Sequence, residues 1–200
     1  DGVAVLNGDD PKQISYPVKS KCKKIWIGIN NKDVDLYATD INYSYKGSTF
    51  NVVFKGNPNK YSFETKLLGT HNIYNILAGI ALGKEFGMSM DELERGVRKV
   101  KPIESRLELR NYGYMYQIND AYNSNPVGAK MALEVLDLMP GTKVVVTPGM
   151  TELGEKEAEL NNIFGSQISK VADYVILVGE KRTKPIFKGI VESGFDKDKI

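Results

Sequence analysis

Two hundred residues suffice for one good core or two small ones, and with Lys plus Arg at 27 against Asp plus Glu at 25 the net charge is only +2. That balance excludes a dedicated nucleic-acid binder, which carries a clustered basic face, and the one basic run, residues 19–24, reads as a solvated loop too short for a membrane or nucleic-acid contact. The sole cysteine, Cys22, rules out an intrachain disulfide or a cysteine-based metal cluster and fits a reducing compartment, while no apolar run approaches the roughly 20 residues of a membrane span.

The chain opens at Asp1 with neither an initiating Met nor the flanks of a signal peptide, so a piece of a longer cytoplasmic protein is expected. Its first third reads as β structure. Val3 to Leu6 is a short apolar strand closed by the turn-forming Asn7-Gly8-Asp9-Asp10-Pro11, and Ile25 to Ile29 is a second. Alternating runs at about Asp35 to Tyr45 and Ser48 to Phe54 are joined by Lys46-Gly47 as a tight hairpin turn, and Tyr61 to Leu67 alternates again. A β-meander is the economical reading.

Two helices follow. Thr70 can N-cap a helix whose Ile73, Ile76, Leu77 and Ile80 form one buried stripe, with Gly87 as its stop. Ser89 to Glu92 is a capping box that opens a second helix with Leu93, Val97 and Val100 inward. Pro102 ends helical structure, which divides the chain into domains at 1–102 and 103–200.

Beyond Pro102 strands and helices alternate. Leu107 to Leu109 and Tyr114 to Ile118 form a hairpin around Asn111-Tyr112-Gly113, and a helix from Pro126 to Met139 buries Ala129, Ala132, Leu133 and Leu136. A strand at Lys143 to Thr147 precedes a helix from about Lys156 with Leu160, Ile163, Phe164, Ile168 and Val171 inward. Tyr174 to Val178 is a further strand, and a helix over about Lys184 to Glu192 is closed by Gly194. Short continuous apolar strands separated by amphipathic helices imply an α/β, Rossmann-like parallel sheet, here missing its last strand.

Polar residues cluster in three places. In Asn119-Asp120-Ala121-Tyr122-Asn123-Ser124-Asn125-Pro126 a strand end meets a helix start, with Asn125 as N-cap and Pro126 at the first helical position. Such a corner either caps its helix or holds a phosphate on the free N–H groups. Asn72 and Asn75, three apart on the next polar segment, share a helix face and can present donors and acceptors to a purine edge. Beside them His71 is equally well a structural histidine or a ligand contact. Between these segments Arg106, with its planar fork, is suited to phosphate as well as to an ion pair with Glu104 or Glu108.

In chain order, Val3 to Pro11, Gly69 to Gly79, Ser105-Arg106-Leu107-Glu108, Asn119 to Pro126 and Thr147-Pro148-Gly149-Met150-Thr151-Glu152-Leu153-Gly154-Glu155 resemble the Mur ligase family along essentially the whole chain. The last segment is similar to the branch that adds D-alanyl-D-alanine. The resemblance implies the latter part of a central ATPase domain followed by most of the C-terminal domain. It implies an ATP-dependent carboxylate–amine ligase of peptidoglycan precursor synthesis, acting on a UDP-N-acetylmuramoyl-tripeptide and D-alanyl-D-alanine through an acyl phosphate. It assigns Asn75, with Asn72 and His71, to the adenine, Arg106 and Asp120 to the nucleotide and to catalysis, and Ser124 and Asn125 to the phosphate or the attacking amine. Mg²⁺ is implied with ligands outside this segment, and no metal ligand within it. A cytoplasmic monomer is expected. No Gly-x-x-x-x-Gly-Lys-Ser/Thr phosphate loop occurs in the chain. A related amide ligase such as folylpolyglutamate synthase, or a non-catalytic module derived from a ligase, are the alternatives.

Overall fold

A computed structural model describes residues 2–19 and 21–200; Asp1 and Ser20, the latter within the basic run, lie outside the described residues. Contacts divide the chain into two compact units, Asp1–Lys101 and Pro102–Ile200.

The first unit runs β1 (Val3–Asn7), α1 (Pro11–Ser15), β2 (Lys23–Gly28), β3 (Leu36–Ser44), β4 (Gly47–Phe54), β5 (Lys60–Thr65), α2 (Thr70–Glu85) and α3 (Met90–Lys99). Its five strands form one sheet in chain order. The meander holds for β3, β4 and β5, whereas β1 and β2 extend the edge in parallel. A parallel neighbour needs a crossover, and α1 lies on the one between β1 and β2. It sits where the sequence suggested only a turn: Asp10 caps it by accepting the Lys12 N–H at 3.0 Å, with Pro11 next. β2 and β3 overlap only at Ile27–Leu36 and Gly28–Tyr37, so a short loop can join them.

Ile73, Ile76, Leu77 and Ile80 on α2 are all buried, packed with Phe50, Val52 and Phe63 of the sheet and with Leu93 and Val97 of α3. The Phe50 and Phe63 rings stack with centroids 5.8 Å apart. Val100, expected inward, is the exposed C-cap of α3, because the helix ends before its stripe completes another turn. Ser89 and Glu92 form the capping box in both directions. Thr70 is the first helical residue of α2 and not its cap; Gly69, at φ 83, occupies that position, where the left-handed backbone favours glycine.

The second unit contains β6 (Glu108–Asn111), β7 (Tyr116–Asn119), α4 (Pro126–Asp137), β8 (Val144–Thr147), α5 (Glu157–Ile168), β9 (Tyr174–Leu177) and α6 (Glu180–Glu192). β6 and β7 pair as an antiparallel hairpin and β8 and β9 as a parallel pair. Ala129, Leu133, Met150, Phe164, Ile168, Ile186 and Ile190 make the core. Ile163 departs from expectation and is 43% exposed, since the buried face of α5 follows Asn161, Phe164, Gly165 and Ile168. That face meets α6 backbone to backbone. A Cβ on Gly165 would stand 2.9 Å from the Ile186 carbonyl carbon, and one on Gly189 would stand 2.9 Å from that of Asn162.

Candidate functional site

In the first unit the candidate residues sit on the first two turns of α2. Asn72 donates its Nδ2 to the Leu68 carbonyl at 2.8 Å and accepts from Asn75 Nδ2 at 3.2 Å, which orients both amides. Asn75 is exposed and retains its Oδ1 acceptor and a second N–H, the pair of groups a purine edge requires. His71 is half-buried beside them.

This segment is tied to the carboxyl ends of two parallel strands, the edge of an open α/β sheet where ligands collect. Asp9, following β1, accepts N–H bonds from Ile29 (2.6 Å), Asn30 (3.1 Å) and Asn31 (2.6 Å) in the loop after β2. It also accepts the Tyr74 hydroxyl of α2 at 2.7 Å. Burial pushes the Asp9 carboxyl up, but the donors from Ile29, Tyr74, Asn31 and Asn30 together outweigh it and hold it below the ordinary carboxylate value. The Tyr74 hydroxyl is pushed far up, by its own burial first and by the Asp9 bond and charge next. The turn leaves little room for a side chain: a Cβ on Gly8 would stand 2.6 Å from Val34 Cγ1 and 3.3 Å from the Ile27 carbonyl oxygen.

In the second unit Arg106, Asp120 and Tyr122 come together. Asp120 accepts the Leu107 N–H at 3.0 Å, the Tyr122 N–H donates to the Ser105 carbonyl at 3.2 Å, and Asn119 Nδ2 donates to Ser105 Oγ at 3.1 Å. Residues 105–107 are thereby laced to the end of β7. The Arg106 guanidinium lies over the Tyr122 ring, 4.1 Å from its centroid. Ser105 (φ 59) and Leu107 (φ 49) on either side of Arg106 are left-handed, a strained arrangement that such lacing sustains. Arg106 makes no ion pair with Glu104 or Glu108; Arg110 pairs with both, at 3.5 and 2.8 Å. Asn125 is the N-cap of α4, its Oδ1 accepting from Val127 (3.1 Å) and Gly128 (2.9 Å), which leaves its Nδ2 for a ligand. Ser124, half-buried, directly precedes it.

The loop after β8 is also pinned. Asn161, 1% exposed, pairs its amide with both the N–H and the carbonyl of Met150 at 2.9 Å. An open groove of about 940 Å³ between α5 and α6 contains none of the candidate site residues expected from sequence. Among the described residues no group of three His, Cys, Asp or Glu side chains is placed to hold a metal ion, and no helix is long and apolar enough to cross a membrane.

Sequence reasoning passed over Tyr122, Tyr74 and Asn161, and read Asp9 only as one residue of a turn. Only Asn161 carried a local signal, a polar residue inside an apolar helical stripe. The others act through partners that no spacing rule connects.

Residues 1–83 match the Mur ligase middle domain, and residues 105–197 match the Mur ligase, glutamate ligase domain. The UDP-N-acetylmuramoyl-tripeptide–D-alanyl-D-alanine ligase of Bacillus subtilis is 32% identical over 205 residues, which cover 100% of this chain and 42% of that protein. Its Escherichia coli namesake is 29% identical over 184 residues, 90% of this chain and 40% of that protein. A crystal structure of MurF from Acinetobacter baumannii superposes with a TM-score of 0.83 at 22% identity, over 94% of this chain and 41% of that one. MurF ligase from Thermotoga maritima in complex with ADP gives 0.77 at 22% identity, over 92% of this chain and 42% of that one. The chain belongs to the Mur ligase family. It spans about two fifths of the length of the curated relatives it matches.

Proposed function

We propose that the chain is part of an ATP-dependent carboxylate–amine ligase that adds D-alanyl-D-alanine to a UDP-N-acetylmuramoyl-tripeptide in peptidoglycan precursor synthesis, in the cytoplasm. The observation that carries this reading is the match to the Bacillus subtilis ligase along the entire chain, through both units. Residues 1–102 are then the latter part of the ATP-binding domain and 103–200 the C-terminal domain.

In this reading Asn75, set by Asn72, takes the adenine edge, and His71 borders it. Arg106 supplies fixed positive charge to the nucleotide phosphates, and Asp120 holds ribose hydroxyls while anchoring the Arg106 loop through the Leu107 N–H. The Asn125 amide and Ser124 border the phosphate or the incoming amine at the start of α4. In the reaction ATP transfers its terminal phosphoryl group to the tripeptide carboxylate; the amine of D-alanyl-D-alanine attacks the acyl phosphate, and phosphate leaves with formation of the peptide bond. Among the described residues of this chain, no nucleophile is required, and rate enhancement comes from positioning and charge stabilisation. Mg²⁺, which in this chemistry neutralises phosphate charge, would be held by residues outside this chain.

The test is ATP turnover by the full-length protein with UDP-N-acetylmuramoyl-tripeptide and either D-alanyl-D-alanine or glutamate. Phosphate release that depends on D-alanyl-D-alanine is expected. Release with glutamate alone would move the protein to another branch, and release with neither would refute the ligase reading.

A further inference from the structure

We propose that Asp9 is a positioning residue for the nucleotide, acting through Tyr74 to fix the first two turns of α2 against the ends of β1 and β2. The inference rests on the reading that Asn75 and its neighbours take the base. Asp9 joins three segments far apart in sequence: its own turn after β1, the loop at 29–31, and α2 at a separation of 65 residues. Three successive backbone N–H groups converging on one carboxylate form an anion nest, so the side chain is held as an ion and its second role, accepting the Tyr74 hydroxyl, is directionally fixed.

Tyr74 stands three residues after His71 and next to Asn75, so a bond to its hydroxyl sets both the rotation of α2 about its axis and its advance along it. The apolar stripe of Ile73, Ile76, Leu77 and Ile80 seats the helix on the sheet, while Asn75 lies exposed outside that stripe. Hydrogen bonds from an amide to a base edge weaken steeply with angle, and small misplacements of binding groups are costly. Asp9 touches no ligand in this scheme. The carboxylate is indispensable because an amide at position 9 would turn an N–H₂ toward donors.

Kinetics of the full-length ligase test this, using Tyr74→Phe, Asp9→Asn, the double variant, and Asn75→Ala as the reference for base contact. Tyr74→Phe is expected to raise KM for ATP about 3- to 10-fold, and Asp9→Asn about 10- to 100-fold, as for loss of a hydrogen bond to a charged group. KM for D-alanyl-D-alanine should stay within about 2-fold, and the double variant should be no worse than Asp9→Asn, as expected for residues acting as one unit. A lowered melting temperature with unchanged KM for ATP would reduce Asp9 to a structural residue and overturn the proposal, as would parallel losses for both substrates. If Asn75→Ala raises KM for ATP while neither Asp9→Asn nor Tyr74→Phe does, positioning fails and the nucleotide reading survives. If Asn75→Ala is without effect, the nucleotide reading falls and the proposal with it. Should Asp9→Asn not fold, Tyr74→Phe decides.

Discussion

Gly189→Ala adds one methyl group where α6 meets α5. The new Cβ would lie 2.9 Å from the Asn162 carbonyl carbon and 3.1 Å from the Ser166 nitrogen, and nearer still to the Asn162 oxygen. All three are backbone atoms, so no rotamer change relieves the overlap, and the helices must part by on the order of 1 Å. A gap of that size forfeits about a quarter to a half of the contact energy across it. The side chains that lose it include Ile186 and Ile190, both completely buried, each worth roughly 2–3 kcal/mol on burial. With the strain of overpacking the loss comes to about 2–4 kcal/mol, offset by about 1 kcal/mol because alanine favours the helix over glycine. A net destabilisation of about 1–3 kcal/mol follows, which for a unit of this size lowers its melting temperature by about 5–20 °C. Thermal melts followed by circular dichroism measure it. Gly96→Ala is the control: in α3 nothing lies within 4 Å of the added carbon, and it should stabilise by about 0.5–1 kcal/mol. If Gly189→Ala matches Gly96→Ala in sign, the backbone contact between the helices does not constrain the fold and the reasoning fails.

In the full-length enzyme, Arg106→Ala and Asp120→Ala should each lower turnover by an amount equivalent to about 2–4 kcal/mol without loss of fold; near-normal turnover at saturating ATP would remove the residue from the site. The 200-residue chain on its own should show no ligase activity and no micromolar affinity for Mg·ATP by calorimetry, since it contains no phosphate loop; a micromolar isotherm would reveal a phosphate site elsewhere in it. Asp9 is held below its ordinary value of 3.8, so its contribution to stability is complete above that pH and lost as pH falls through the lower folded value. Asp9→Asn should therefore flatten the acid limb below about pH 4. That difference should persist in molar salt, because its donors are uncharged, whereas the shares of Asp33 with Lys55 and Asp40 with Lys60 should fade; urea melts across pH at two salt concentrations read both.

Local chemistry was legible in the sequence. The α2 stripe is buried at every expected position, and Asn125-Pro126 and Ser89-Glu92 do what cap residues do, because a cap needs partners only within a few residues. Strand direction was not legible, since the apolar pattern of β1 and β2 is the same whichever way a neighbour runs. α1 escaped because five residues with no buried position leave no stripe, though Asp10-Pro11 carries the same signature as Asn125-Pro126. α6 begins four residues before the expected start at Lys184: Pro185 reads as a helix opening but lies inside, tolerated because burial of Ile186 and Ile190 outweighs one missing backbone bond. At the candidate site the amide pair and Arg106 stood out as types in a pattern. The groups that hold them, Asp9 with Tyr74 and Arg106 on Tyr122, are contacts of tertiary structure.

The two left-handed residues flanking Arg106 set stability and activity against each other. Each costs about 1 kcal/mol or more relative to a glycine in the same conformation, so selection for heat resistance alone would favour replacing Ser105 by glycine despite the lost bond to Asn119. The same exchange would widen the range of directions from which the arginine departs the backbone. Variants recovered from a thermal screen of this protein should accordingly gather glycine or asparagine at position 105 and lose turnover as they do, while a screen that also demands turnover should keep serine there.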